Sequence, residues 1–118
     1  MFLEKELSYK IMGCFFGVRN KYKRGHKEII YDRAFKEELE SKNISYIAKP
    51  RISLYSVTTG KKIGTFIPDY LIENKIIVEL KAIPITKQED SLQLLEYMKI
   101  SPYEIGYLVN FGTLTFKP

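Results

Sequence analysis

The chain has 118 residues, enough for one domain, and its 45% hydrophobic content with nine tyrosines and seven phenylalanines can build a real core. Its formal charge of +5 fits a polyanionic partner without requiring one. A single cysteine, Cys14, and a single histidine, His26, exclude a disulfide scaffold, a Cys/His zinc site and a four-cysteine iron–sulfur cluster within the chain. A Ser-His-Asp or Cys-His mechanism would have to use His26, which sits in a basic stretch with no obvious partner. No signal-peptide pattern and no span-length apolar run is read, so the expected compartment is the cytoplasm.

Residues 4–22 read as a helix, with Leu7, Ile11, Cys14, Phe15, Val18 and Tyr22 on one stripe. Gly13 and Gly17 lower its propensity but sit four apart, which permits close approach by another element. Cys14 on the apolar stripe reads most simply as a small buried hydrophobe. Lys21, Lys23, Arg24 and Lys27 then cluster around Gly25, either as a solvated loop or as phosphate contacts. A second helix is expected over 26–42, with Tyr31, Phe35 and Leu39 as its core stripe and Asn43 as a stop. Extending that stripe backward lands on Glu28, a carboxylate in the first turn on the buried-side face. An acid there suits the helix N-terminus. Its face suggests a third acidic group for a site on the sheet.

Residues 44–58 are strand-like, with a kink or edge marked by Pro50. Thr59-Gly60-Lys61-Lys62 is a turn, and Ile63–Ile72 returns as a strand that Pro68 makes irregular or places at an edge. A third strand covers 76–82. Residues 86–101 read as a helix with Leu92, Leu94, Leu95 and Met98 on its apolar face. Gln93 and Tyr97 border that face, as ordinary boundary groups or as residues pointing into a site. Two strands, 105–111 and 113–116, close the chain around Gly112.

The hairpin at 65–82 carries the chemistry. Period-two alternation puts Glu79 and Lys81 on one face of its second strand and Val78 and Leu80 on the other. Asp69 lies on the first strand. A two-residue turn would set Asp69 opposite Val78, on the wrong face; a three-residue turn pairs Ile72 with Ile76 and Asp69 with Glu79. The longer turn is expected, with Asn74 or Lys75 left-handed. Two carboxylates beside apolar strands are costly as pure structure and suit a hard divalent cation. Lys81 could hold a water that attacks phosphorus. The bland alternative is an Asp69 that begins a turn and a Glu79–Lys81 surface pair.

The order helix, helix, three strands, helix, two strands, with D-x9-E-x-K and a following Gln, resembles the PD-(D/E)xK nuclease superfamily. More narrowly it resembles the GxxExxY family, on Gly25-His26-Lys27-Glu28-Ile29-Ile30-Tyr31, Asp69-Tyr70-Leu71-Ile72-Glu73, Ile77–Ala82, Gln93-Leu94-Leu95 with Tyr97, and Val109-Asn110-Phe111-Gly112. Tyr55 and Gly64 also match. His26 and Lys27 depart from the apolar residues usual between that family's glycine and glutamate. The resemblance implies an α/β, single-domain restriction-endonuclease-like core over 1–118, order ααβββαββ, with a mixed sheet flanked by helices. It implies a hydrolase that cuts DNA, or RNA, by attack of a metal-activated water, with Mg2+ or Mn2+ as cofactor. Asp69, Glu79 and the Leu80 carbonyl would hold the ion, and Glu28 would support it. Lys81 would position the water, Gln93 would assist, and Tyr31 and Tyr97 would line the site. The alternatives are a non-catalytic nucleic-acid-binding scaffold and a dimeric junction-resolving endonuclease. Nucleic acid, DNA ahead of RNA, is the expected partner. At this size a homodimer or partner protein is expected too, and no membrane is.

Overall fold

The computed structural model describes residues 4–113. The elements are α1 (Lys5–Tyr22), α2 (Glu28–Ser41), β1 (Tyr46–Ala48), β2 (Ile52–Tyr55), β3 (Lys62–Phe66), β4 (Tyr70–Ile72), β5 (Ile76–Lys81), α3 (Gln88–Lys99) and β6 (Ile105–Asn110). This is the expected mixed α/β order, with two refinements at prolines. The stretch 44–58 breaks at Lys49-Pro50 into β1 and β2, and the stretch 63–72 breaks before Pro68 into β3 and β4. Pro50 and Pro68 lack the N–H that a continuous ladder needs. Each break also changes partner: β1 and β4 join a four-stranded sheet of order β1-β4-β5-β6, while β2 and β3 pair with each other. The closing strand expected at 113–116 falls largely outside the described residues, and Thr113 itself lies in a bend. Among the described residues, no helix is long and apolar enough to cross a membrane.

The chain divides into two compact units. The first holds the described residues through Ser45, Leu80–Thr86, and those from Val109 onward. Its core joins Ile11, Cys14, Phe15 and Val18 of α1 to Tyr31, Ala34, Phe35 and Leu39 of α2. Phe15 and Phe35 stack at 5.4 Å, and each fully buried ring contributes about 2–3 kcal/mol through burial. The small surfaces of Gly13 and Gly17 admit Lys42 and Glu38 from the α2 side; a Cβ on Gly17 would run into the Glu38 carboxylate. Glu38 in turn pairs with Lys21 at 2.7 Å. Burial pushes the Cys14 thiol above its ordinary value, and nearby Lys42, 3.8 Å from its sulfur, only partly offsets this. Asn43 ends α2 at φ +55, while the Ile44 N–H reaches back to the Leu39 carbonyl at 3.0 Å, closing a Schellman-type stop.

The second unit holds Tyr46–Glu79 and Lys87–Leu108. Ile52, Leu54 and Phe66 of the β2–β3 hairpin, Leu71 of β4, Ile77 of β5 and Leu94 of α3 form its core. The apolar face of α3 differs in part from expectation. Leu94 and Met98 face the core as expected and Tyr97 joins them, whereas Leu92 and Leu95 are half exposed. Tyr97 packs on Phe66 at 4.7 Å, and that aromatic contact fixes the helix rotation.

The sheet is mixed. β1–β4 and β4–β5 are antiparallel. β5 and β6 run in the same direction: Gly106 lies against the Ile77 carbonyl, and the Phe111 N–H donates to the Lys81 carbonyl at 2.9 Å. A strand–helix–strand connection through α3 makes that parallel pairing accessible.

Candidate metal centre

The β4–β5 register pairs Tyr70 with Val78, Leu71 with Ile77 and Ile72 with Ile76. It is the register of the longer turn. Asn74 is left-handed as expected, at φ +56, and Glu73 joins it at φ +52. The Lys75 N–H closes the turn on the Ile72 carbonyl at 3.0 Å, and Lys75 is then the extra residue before pairing begins. The paired register stops one position short of Asp69 and Glu79, and Asp69 lies in a bend directly before β4.

Alternation then sorts the faces. Tyr70, Ile72, Ile76, Val78 and Leu80 are buried on one side. Leu71 and Ile77 lie on the other, the side to which alternation along β5 also assigns Glu79 and Lys81. Glu79 and Lys81 are both half-buried. Directly opposed side chains in an antiparallel pair have Cβ atoms about 5 Å apart. Two carboxylates held at that range would repel by about 3 kcal/mol at an effective dielectric near 20, a cost that a cation would relieve.

The sequence reading missed the cation that is present. Lys49, just past the end of β1, adopts φ +53. Its N–H donates to the Asp69 carbonyl at 2.8 Å, and its Nζ contacts Asp69 Oδ1 at 2.5 Å. The β1–β4 register, which pairs Ala48 with Tyr70, continues to this contact. Lys49 and Asp69 thus meet just beyond the paired ends of β1 and β4. The signal was present in the lysine directly before Pro50, but only strand pairing reveals it.

Lys49 Nζ marks a position where a cation sits on Asp69. Oxygen donors from Asp69 and Glu79 fit a hard divalent ion. Among the described residues, no group of three or more His, Cys, Asp or Glu side chains is placed to hold a metal ion, so Glu28 is not gathered with Asp69 and Glu79.

The other expected residues take these places. Leu80 is buried through its side chain in β5. Gln93 is exposed on α3 and donates from Nε2 to the Tyr97 hydroxyl at 3.4 Å, so these two form one polar pair bordering the second core. Glu28 occupies the first turn of α2 but is exposed, contrary to the buried-side expectation. A helical side chain leans toward the helix N-terminus, so a first-turn residue projects past the helix end. Tyr31 is fully buried and stacks on Phe111 at 4.8 Å. Its hydroxyl accepts from the His26 N–H at 3.2 Å and donates to the Lys23 carbonyl at 2.7 Å. Gly25 stands at φ +104, which side-chain-bearing residues rarely adopt. The glycine and tyrosine of Gly25–Tyr31 thus build the turn into α2. Lys23, Arg24 and Lys27 are exposed around it, whereas Lys21 is engaged by Glu38.

Asn110 gives Val109–Gly112 a physical role. Its buried amide oxygen accepts from the Ile83 N–H at 3.1 Å and the Gly112 N–H at 2.9 Å, and its nitrogen donates to Thr86 Oγ1 at 3.0 Å. A Cβ on Gly112 would collide with the Ile83 backbone. Together with the Phe111–Lys81 backbone bond, these contacts fix the chain immediately past Lys81.

A mixed sheet with flanking helices, carrying Glu79 and Lys81 two residues apart on β5, is consistent with a restriction-endonuclease-like fold. The sequence matches the PD-(D/E)XK nuclease superfamily over residues 5–118, and the chain belongs to that superfamily. No curated protein and no solved structure matches it significantly.

Proposed function

We propose that the protein is a Mg2+- or Mn2+-dependent nuclease of the GxxExxY type, with residues 1–118 as one nuclease domain acting on DNA in preference to RNA. The observation that supports this reading is the three-residue β4–β5 turn, which pairs Tyr70 with Val78, so that the register carried one position further would bring Asp69 opposite Glu79. Superfamily membership supports it. Asp69 and Glu79 hold the divalent ion, with the Leu80 carbonyl and Glu28 in support. That ion supplies charge stabilisation at the phosphoryl group and a more acidic water. Lys81 orients the attacking water and donates to the phosphate oxygens, and Gln93 assists. A new P–O bond forms to the water oxygen, the ester P–O bond breaks, and the water proton leaves to solvent as the departing oxygen is protonated. Lys23, Arg24 and Lys27 supply phosphate contacts. A cytoplasmic location and a homodimer or partner protein complete the reading.

The test is incubation of labelled single- and double-stranded DNA and RNA with Mn2+, Mg2+ or EDTA. Cleavage is expected only with metal, and Asp69→Ala and Lys81→Ala should each reduce it at least a hundredfold, about 2.7 kcal/mol in transition-state stabilisation. Metal-independent cleavage, or full activity in Asp69→Ala, would refute the mechanism. Nucleic-acid binding without cleavage under any metal would favour the scaffold alternative.

A further inference from the structure

Resting on the nuclease reading, the geometry points to a subsite for one unpaired nucleobase of a single strand, in the second unit beside the acid pair. A cleft of about 400 Å3 opens there. Ile47 and Leu71 lie in its floor, and Arg51, Tyr55, Asn74 and Tyr103 stand around it. Its size falls within the usual range for small-ligand pockets.

The sheet ties this cleft to the acids. Ile47 pairs with Leu71, and Leu71 with Ile77. Lys49 and Asp69, in contact with each other, lie two residues along the chain from Ile47 and Leu71, or about 7 Å if the chain stays extended. A base seated in the cleft would therefore place a neighbouring phosphate near Asp69.

The lining selects the occupant. Ile47 is 56% exposed and Tyr55 44% exposed, an apolar surface beside charged groups that a flat ring would cover. Tyrosine rings are the usual stacking platforms for bases. The Tyr103 hydroxyl donates to Asn74 Oδ1 at 3.2 Å, which orients the amide at the edge, where a base presents its polar rim. Arg51 is exposed and matches a phosphate in charge. A base paired in a duplex cannot enter such a cleft without leaving its stack.

The experiment measures binding of fluorescein-labelled 12-nucleotide single strands in EDTA, where the proposed cleavage cannot run. Wild type is compared with Tyr55→Leu, Tyr103→Leu, Tyr103→Phe and Arg51→Gln. An abasic site is scanned along the strand, and the matching duplex and a free mononucleotide serve as competitors. The expected result is about tenfold weaker binding with one abasic position, and a similar loss for Tyr55→Leu and Arg51→Gln. Tyr103→Phe should keep its ring and bind well, unlike Tyr103→Leu. Tyr55 is exposed, so its variant tests the cleft without threatening the core. Binding indifferent to abasic sites, unchanged in Tyr55→Leu and Arg51→Gln, or equally tight for duplex or mononucleotide would overturn the subsite. Metal-dependent cleavage that survives such a failure would leave the nuclease reading standing. Loss of cleavage with base binding intact would sink that reading alone.

Discussion

At the residue scale, the acid pair and Lys49 determine how the centre behaves. Lys49 pairs with the Asp69 carboxylate at a contact in which Asp69 is only 17% exposed and Lys49 68%. A surface ion pair of that kind is worth little in net stability. Its effect falls on metal binding, because an incoming cation must take the same oxygen. Lys49→Met should therefore tighten Mn2+ binding by about tenfold, close to 1.4 kcal/mol, in a calorimetric titration. Unchanged or weaker binding in that variant would mean that Lys49 does not compete for the site. The spacing offered Asp69, Glu79 and Lys81 as candidates beside a bland alternative, and alternation along β5 is what puts Glu79 and Lys81 on one face. Lys49 was not legible, because it lies 20 residues away and only the β1–β4 register brings it to Asp69.

At the element scale, the hairpin turn and the Val109–Gly112 segment hold the centre in place. The turn needs left-handed backbone at Glu73 and Asn74. Asn tolerates that region and Gly favours it, whereas a β-branched side chain is strained there. Both Asn74→Val and Asn74→Gly remove the Tyr103 contact, so their difference isolates the backbone. Asn74→Val should be about 1–2 kcal/mol less stable than Asn74→Gly by denaturant melts. Equal stabilities would contradict the left-handed turn and the register built on it. Asn110→Ala would leave the Ile83 and Gly112 N–H groups without their acceptor and should cost about 1–3 kcal/mol in the same measurement. A cost below about 0.5 kcal/mol would show that the segment past Lys81 is held by other means. The sequence foresaw the three helices and the hairpin register, which follow from periodicity and face matching. It did not foresee that the two long strands each divide and change partners. Proline announced the breaks, but pairing choice depends on contacts distant in sequence, such as Tyr55 with Ile100. Nor did it foresee the rotation of α3. Leu92, Leu94 and Leu95 are equally apolar, and only packing against Phe66 distinguishes them.

At the scale of the whole molecule, a basic chain carries an acidic centre. The +5 charge attracts a polyanion, and the carboxylates would repel its phosphates unless a cation intervenes. In the proposed enzyme, metal loading would therefore strengthen a binding that the basic groups already provide without metal, and the acids are where it would act. Glu28 shows where sequence reasoning ends. Its helix and first-turn position were readable, but its exposure follows from how a first-turn side chain leaves the helix end. The decisive measurement is a calorimetric titration of Mn2+ into the wild type, Asp69→Asn and Glu79→Gln, with folding verified by melting. One saturable ion per chain in the wild type, lost in both variants while their folds persist, is the expected result. Binding that persists unchanged in both variants, or no binding in a folded wild type, would contradict the assignment of Asp69 and Glu79 as a metal centre.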